Sequence, residues 1–175
     1  MIPSTEHCRR LLREHCVPDN ILRHIEQVRR VAVFLALRMR ERGFSVDVAL
    51  VEAGALLHDL DKHLTSGEPS KHGEIGAEML SELGCPEVAS IILKHCKLGH
   101  SPLQDTLEEK LVRYADMRVK HDCVVSVSER FDYLKERYGK RDKEVMRLIV
   151  ESEPEEYALE KEITEKAGLT PEQVV

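Results

Sequence analysis

Val48-Ala-Leu-Val-Glu-Ala-Gly-Ala-Leu-Leu-His58-Asp59-Leu-Asp-Lys62 is apolar almost throughout from Val48 to Leu57 and then turns polar within a few residues. An apolar run of that kind, with no wet face, predicts a helix enclosed by other elements. Where it stops, a histidine, two carboxylates and a lysine arrive together. Burying an ionised carboxylate without a partner costs several kcal/mol, so His58-Asp59 must be paired, hydrogen-bonded or bound to a cation. For an isolated doublet, a helix end open to water would be the simpler explanation. The remaining histidines decide against it.

Working outward, Pro18-Asp19-Asn20 predicts the start of a long helix that runs to Arg42 and stops at Gly43. Its inner stripe is Ile21, Ile25, Val28, Val31, Ala32, Leu35 and Met39, and His24 falls on that stripe by the helical period. A short helix from Thr5 to Cys16 precedes it. After the central helix, which is expected to end near Asp61, residues 63–69 read as a loop. Pro69 or Ser70 then opens a helix that places His72 on the face of Ile75, Met79 and Leu83, and Gly84 closes it. In the next helix, from Pro86, Val88, Ile91, Ile92 and His95 repeat at helical spacing. A helix from Leu103 carries Leu107, Leu111, Val112, Ala115 and Val119 inward with Asp116 beside them. Beyond it, helices around Phe131, around Val145 to Ile149, and from Glu155 to Ala167 complete the core or supply a partner surface, a homodimer being one such partner.

Length and composition bound the answer. A chain of 175 residues suits one domain spanning residues 1–175, and Ala, Leu, Val, Glu, Lys and Arg in helical order predict an all-α, single-domain helical bundle. The net charge of −6 carries no basic block, which argues against a dedicated nucleic-acid surface. No hydrophobic stretch approaches the roughly 20 residues of a membrane helix, and no secretory leader pattern precedes the first helix, so a cytoplasmic protein is expected. Cys8, Cys16, Cys85, Cys96 and Cys123 are scattered and never form a C-x-x-C pair, as free thiols in a reducing compartment would be.

Four expected helices thus each bring one histidine to an inner face, a fifth brings Asp116, and Asp59 follows His58 directly. Imidazole nitrogen with carboxylate oxygen suits a first-row divalent metal, and helix bundles build such sites from facing helices. With no cysteine among these candidates, a thiolate site is not expected.

The ordered set resembles the HD-domain metal-dependent phosphohydrolases, whose pattern is a histidine, a His-Asp doublet ending a buried helix, and a distant aspartate, with two more histidines between in the binuclear branch. Here these are His24 in Leu22-Arg-His-Ile-Glu, the doublet His58-Asp59, His72 in Lys71-His-Gly-Glu-Ile-Gly-Ala, His95 in Ile91-Ile-Leu-Lys-His, and Asp116 in Leu111-Val-Arg-Tyr-Ala-Asp, over roughly residues 20–120. The resemblance implies that His24, His58, Asp59 and Asp116 hold one metal ion and that Asp59 bridges to a second, completed by His72 and His95. It implies two divalent ions, drawn from iron, manganese, cobalt, nickel or zinc. The implied reaction is hydrolysis of a phosphate ester or anhydride of a nucleotide or similar small phosphorylated compound. Asp59 and Lys62 are the catalytic candidates, and Lys62, His100 and Arg118 the candidates for substrate phosphate; Asp61 and Arg113 stand behind them at the pocket rim. His7, His15, His63 and His121 are expected on the surface.

Within the family the texture is closest to the bacterial branch that cleaves dinucleoside tetraphosphates symmetrically, through Gly76-Ala77 and Leu107-Glu-Glu-Lys-Leu-Val-Arg-Tyr-Ala-Asp116. That branch carries a threonine where Cys96 stands and an acidic-proline segment where Met117-Arg-Val-Lys-His stands, which leaves the substrate open. Two alternatives are a one-metal nucleotide phosphatase, with His72 and His95 serving substrate, and a nucleotide-binding module without catalysis.

Overall fold

The computed structural model describes residues 1–65, 71–97 and 99–175. Its described helices are α1 (Thr5–Glu14), α2 (Asp19–Glu41), α3 (Val48–Leu57), α4 (Glu74–Glu82), α5 (Pro86–Lys94), α6 (Leu107–Met117), α7 (Val127–Arg137) and α8 (Lys143–Ala167). The architecture is all-α. The described residues add a two-residue hairpin, β1 (Val119–Lys120) against β2 (Cys123–Val124), which the sequence reading did not anticipate.

Local chemistry fixes several helix starts. Ser4 accepts from His7 N, and Asp47 accepts from Ala49 N and Leu50 N at the start of α3. Thr106 with Glu109, and Ser126 with Glu129, form reciprocal capping boxes on α6 and α7. The Thr106 cap corrects the expected start at Leu103, because Pro102–Gln104 make a separate 3-10 turn. The expected break before Glu155 is also corrected. Pro154 forfeits one backbone hydrogen bond, yet α8 runs on through it because Ile149, Leu159, Ile163 and Ala167 form one buried stripe.

α3 is the enclosed helix that its sequence implies. Val51 and Ala55 belong to a core shared with α2, α5, α6, α7 and α8, whereas Ala53, Leu56, Leu57 and the following Leu60 belong to another shared with α1, α4 and α5. Helix α5 lies so close to α3 that a Cβ on Gly54 would sit 2.8 Å from Ile91 Cδ1. Two apolar cores therefore meet along α3, and its polar end projects from between them. No described helix is long and apolar enough to cross a membrane.

Candidate metal centre

α3 ends at Leu57, earlier than expected, and His58 is its C-cap. The chain then winds through tight turns in which Leu60 N donates to Leu57 O, Lys62 N to Asp59 O and Leu64 N to Asp61 O. His95 caps α5 in the same way. At both ends the imidazole Nδ1 meets the carbonyl three residues back, His58 to Ala55 O at 2.8 Å and His95 to Ile92 O at 2.6 Å. The last carbonyls of a helix lack intrahelical donors, so a capping histidine finds its acceptor locally.

His24 Nδ1 meets the carbonyl of His121, at the hairpin turn, at 2.7 Å, and His72 Nδ1 meets Asp61 Oδ1 at 2.8 Å. All four rings thus have an oxygen at Nδ1, which fixes their orientation and aims Nε2 inward. Those Nε2 atoms converge. His24 Nε2 is 3.0 Å from Asp116 Oδ1, 3.4 Å from His58 Nε2 and 3.5 Å from Asp59 Oδ2; His58 Nε2 is 3.5 Å from Asp59 Oδ2 and 4.0 Å from Asp116 Oδ1. Donors about 2.1 Å from a shared tetrahedral centre are about 3.4 Å apart, so these four match the spacing an ion would impose.

The other oxygen of Asp59 faces the second pair. Its Oδ1 is 2.9 Å from His72 Nε2 and 3.8 Å from His95 Nε2. Although Asp59 is only 1% exposed, Oδ1 has no hydrogen bond of acceptable geometry. A buried carboxylate oxygen left open between two imidazoles is costly unless a cation completes it. The rings form a chain, His24 to His58, His58 to His95 and His95 to His72, at centroid separations of 5.3, 5.1 and 5.0 Å.

Electrostatics favour positive charge in this hollow. Burial opposes ionisation of Asp59 and Asp116, but the Lys62 ammonium holds Asp59, and the Arg130 guanidinium holds Asp116, well below the usual carboxylate range. Burial lowers the pKa of His58 and keeps it neutral, as a ligand must be. Burial also opposes protonation of His72, yet Asp59, Asp61 and Cys96 outweigh it and push its pKa up to about 12. The same carboxylates that stabilise a proton there would stabilise a metal ion.

Sequence and structure differ at several positions. His72 lies in a turn ahead of α4 rather than on a helical face, and the inner face of α4 is Gly76, Ala77 and Leu80, with Leu83 exposed. The expected helix start at Pro69 or Ser70 falls outside the described residues. Gly73 caps α4 at φ 86°, where a Cβ would sit 2.8 Å from Ile92 O, so only glycine lets this turn carry His72 inward. Asp61, expected at the rim, is wholly buried and accepts from Gly73 N and Gly76 N as well as facing His72. Lys62 lies 2.6 Å from Asp59 Oδ2 with 37% of its side chain open to solvent.

The two other residues expected to meet phosphate are engaged elsewhere. Arg118 is 4% exposed, and its guanidinium donates to Tyr114 Oη, Val125 O and Pro171 O. His100 Nε2 pairs with Asp105 at 2.8 Å. Arg113 pairs with Glu156. Of the histidines expected on the surface, His121 is exposed, whereas His7, His15 and His63 are half-buried. Two residues were missed. Arg130 Nη2 lies 3.4 Å from Asp116 Oδ1, and its spacing with Val127 and Leu134 was a readable signal that it points inward. Cys96, discounted with the other thiols, stands beside His72 and His95.

The HD domain family model matches residues 21–118 of the chain. An uncharacterized protein of Methanocaldococcus jannaschii is 34% identical over 146 residues, covering 75% of this chain and 85% of that one. A tRNA (cytidine(56)-2'-O)-methyltransferase of Thermoplasma volcanium is 32% identical over 130 residues, 66% of this chain but 36% of its own length. A ribonuclease Y of Treponema pallidum is 32% identical over 100 residues, which are 56% of this chain and 18% of that protein. The chain therefore spans well under half of the methyltransferase and under a fifth of the ribonuclease. No solved structure matches.

Proposed function

The chain belongs to the HD-domain family, and on that premise we propose that it is a two-metal phosphohydrolase acting on a nucleotide or similar small phosphorylated compound. The observation that carries this reading is the convergence of four imidazole Nε2 atoms and the Asp59 and Asp116 carboxylates, with Asp59 Oδ1 buried and making no hydrogen bond of acceptable geometry. His24, His58, Asp59 and Asp116 would hold one ion, and Asp59, His72 and His95 the other. When bound, such ions lower the pKa of an attacking water and supply positive charge to the phosphoryl oxygens.

The chain's own groups do the rest. Each ring keeps its Nε2 aimed inward through the oxygen at its Nδ1, and Asp61 does this for His72 while bonded to two backbone N–H groups. Lys62, anchored at Asp59 and partly open to water, is the ammonium best placed to meet a substrate phosphate. Arg130 keeps Asp116 ionised and oriented.

Chelator-stripped protein reloaded with manganese, iron, cobalt, nickel or zinc and assayed against nucleotides, dinucleoside polyphosphates and short oligoribonucleotides tests the reading. About two ions per chain and metal-dependent release of phosphate or nucleotide are expected, with both lost in His58→Ala and Asp59→Ala. Full turnover in either variant would remove the mechanism. One ion with turnover would favour the mononuclear alternative, and two ions without turnover a binding module. The ribonuclease Y relatives favour a second substrate reading, an RNA phosphodiester, against which the net charge of −6 stands; cleavage confined to the oligoribonucleotides would establish it.

A further inference from the structure

Cys96 directly follows His95 just beyond the end of α5, and its Sγ and the ring nitrogens of His72 and His95 all lie within 4.8 Å of one another. The buried Asp59 Oδ1, which makes no hydrogen bond of acceptable geometry, faces the two imidazoles of this trio, 2.9 Å from His72 Nε2 and 3.8 Å from His95 Nε2. The surroundings of other thiols differ. Cys8 Sγ donates to Pro3 O and Cys85 Sγ to Leu83 O, ordinary contacts for a sulfhydryl. Cys96 has imidazoles beside it.

We propose that Cys96 is a thiolate ligand of the second ion, making that half of the centre a set of two histidines, one cysteine and one bridging aspartate. The inference rests on the two-ion reading above. Two nitrogens, one sulfur and one oxygen make a four-donor set that a five-coordinate ion would hold with one position left for water or phosphate, and a soft thiolate favours zinc or cobalt over manganese or magnesium. The first half, built from two histidines and two aspartates, has no sulfur and is the harder of the two. The thiol proton leaves as the ion binds. The centre is thus asymmetric, with the two positions preferring different metals.

The test is cobalt(II) titration of the chelator-stripped, full-length protein, followed by absorption spectroscopy with metal counting. Uptake of the second ion should bring a sulfur-to-cobalt charge-transfer band in the near ultraviolet. In Cys96→Ser that band should be missing and the second ion should bind at least about tenfold more weakly. The first ion should still bind with its visible cobalt bands, which shows that the variant is folded. A two-cobalt protein without the charge-transfer band, or the same band in Cys96→Ser, overturns the proposal while leaving the two-ion reading intact. A count of one ion per chain overturns both.

Discussion

Two buried polar clusters lie on α6 and are resolved in opposite ways. Around Arg118, the guanidinium donates to Tyr114 Oη, Val125 O and Pro171 O, and Tyr114 Oη in turn donates to Glu160 at 3.0 Å. Around Asp116, two residues earlier, the Nε2 atoms of four histidines face carboxylate oxygens, and Asp59 Oδ1 makes no hydrogen bond of acceptable geometry. Buried polar groups that satisfy one another hold elements together; groups held rigidly and left unsatisfied await a ligand. Arg118 ties α6 to the segment after β2 and to the stretch after α8. The histidine cluster gathers the donors that a metal ion would take.

That contrast can be broken by substitution. Asp59→Asn keeps the shape and removes the charge that the two proposed half-sites would share, so metal content and turnover should fall below detection while helical circular dichroism is unchanged. A variant that still held two ions would abolish the distinction. Arg118→Met should do the reverse. Leaving the buried Tyr114 hydroxyl and the half-buried Glu160 without their cation should cost about 2–3 kcal/mol in urea unfolding, with the ion count of the folded protein unaltered. Loss of metal in this variant would mean that the two clusters are one.

Smaller effects sharpen it. Asp61→Asn removes the carboxylate that fixes the His72 tautomer and should weaken the second ion by about 10–100-fold in chelator competition, with the first ion little affected. The smallest effect concerns Glu109, a buried carboxylate at the capping box of α6. Burial raises its pKa, but Ser90, Lys94 and the Thr106 N–H together hold it below the ordinary 4.5. Its folded pKa is depressed, so its stabilisation is complete above that ordinary value and is lost as pH falls through the folded one. Wild type should exceed Glu109→Gln by about 1 kcal/mol at neutral pH, and the gap should close on acidification below pH 4.5. A constant gap would show that the ion pair is not its source.

Legibility followed the reach of the interactions. His24 and His95 were readable because they share a helical period with apolar neighbours, and His58-Asp59 because the pair ends an enclosed run. His72 was placed on the wrong kind of element, since its inward position depends on the left-handed turn at Gly73 and on Asp61, eleven residues earlier. Arg118 looked like a phosphate clamp because a guanidinium near a candidate ligand aspartate is ambiguous until its partners are known; those partners lie 4, 7 and 53 residues away. Cys96 was dismissed for want of a second cysteine, although its partners are imidazoles.

The periodicity of apolar residues and the one unbroken apolar run were enough, by themselves, to determine an all-α chain with a buried α3 and an inward-facing set of histidines and aspartates. Local spacing fixes which side of a helix is wet, and burial of that apolar area drives folding. Only the tertiary structure decided which lone pairs were left over. Whether a polar atom is satisfied depends on partners brought from distant parts of the chain, and those partners separate Arg118, fully engaged, from Asp59, with one oxygen still open.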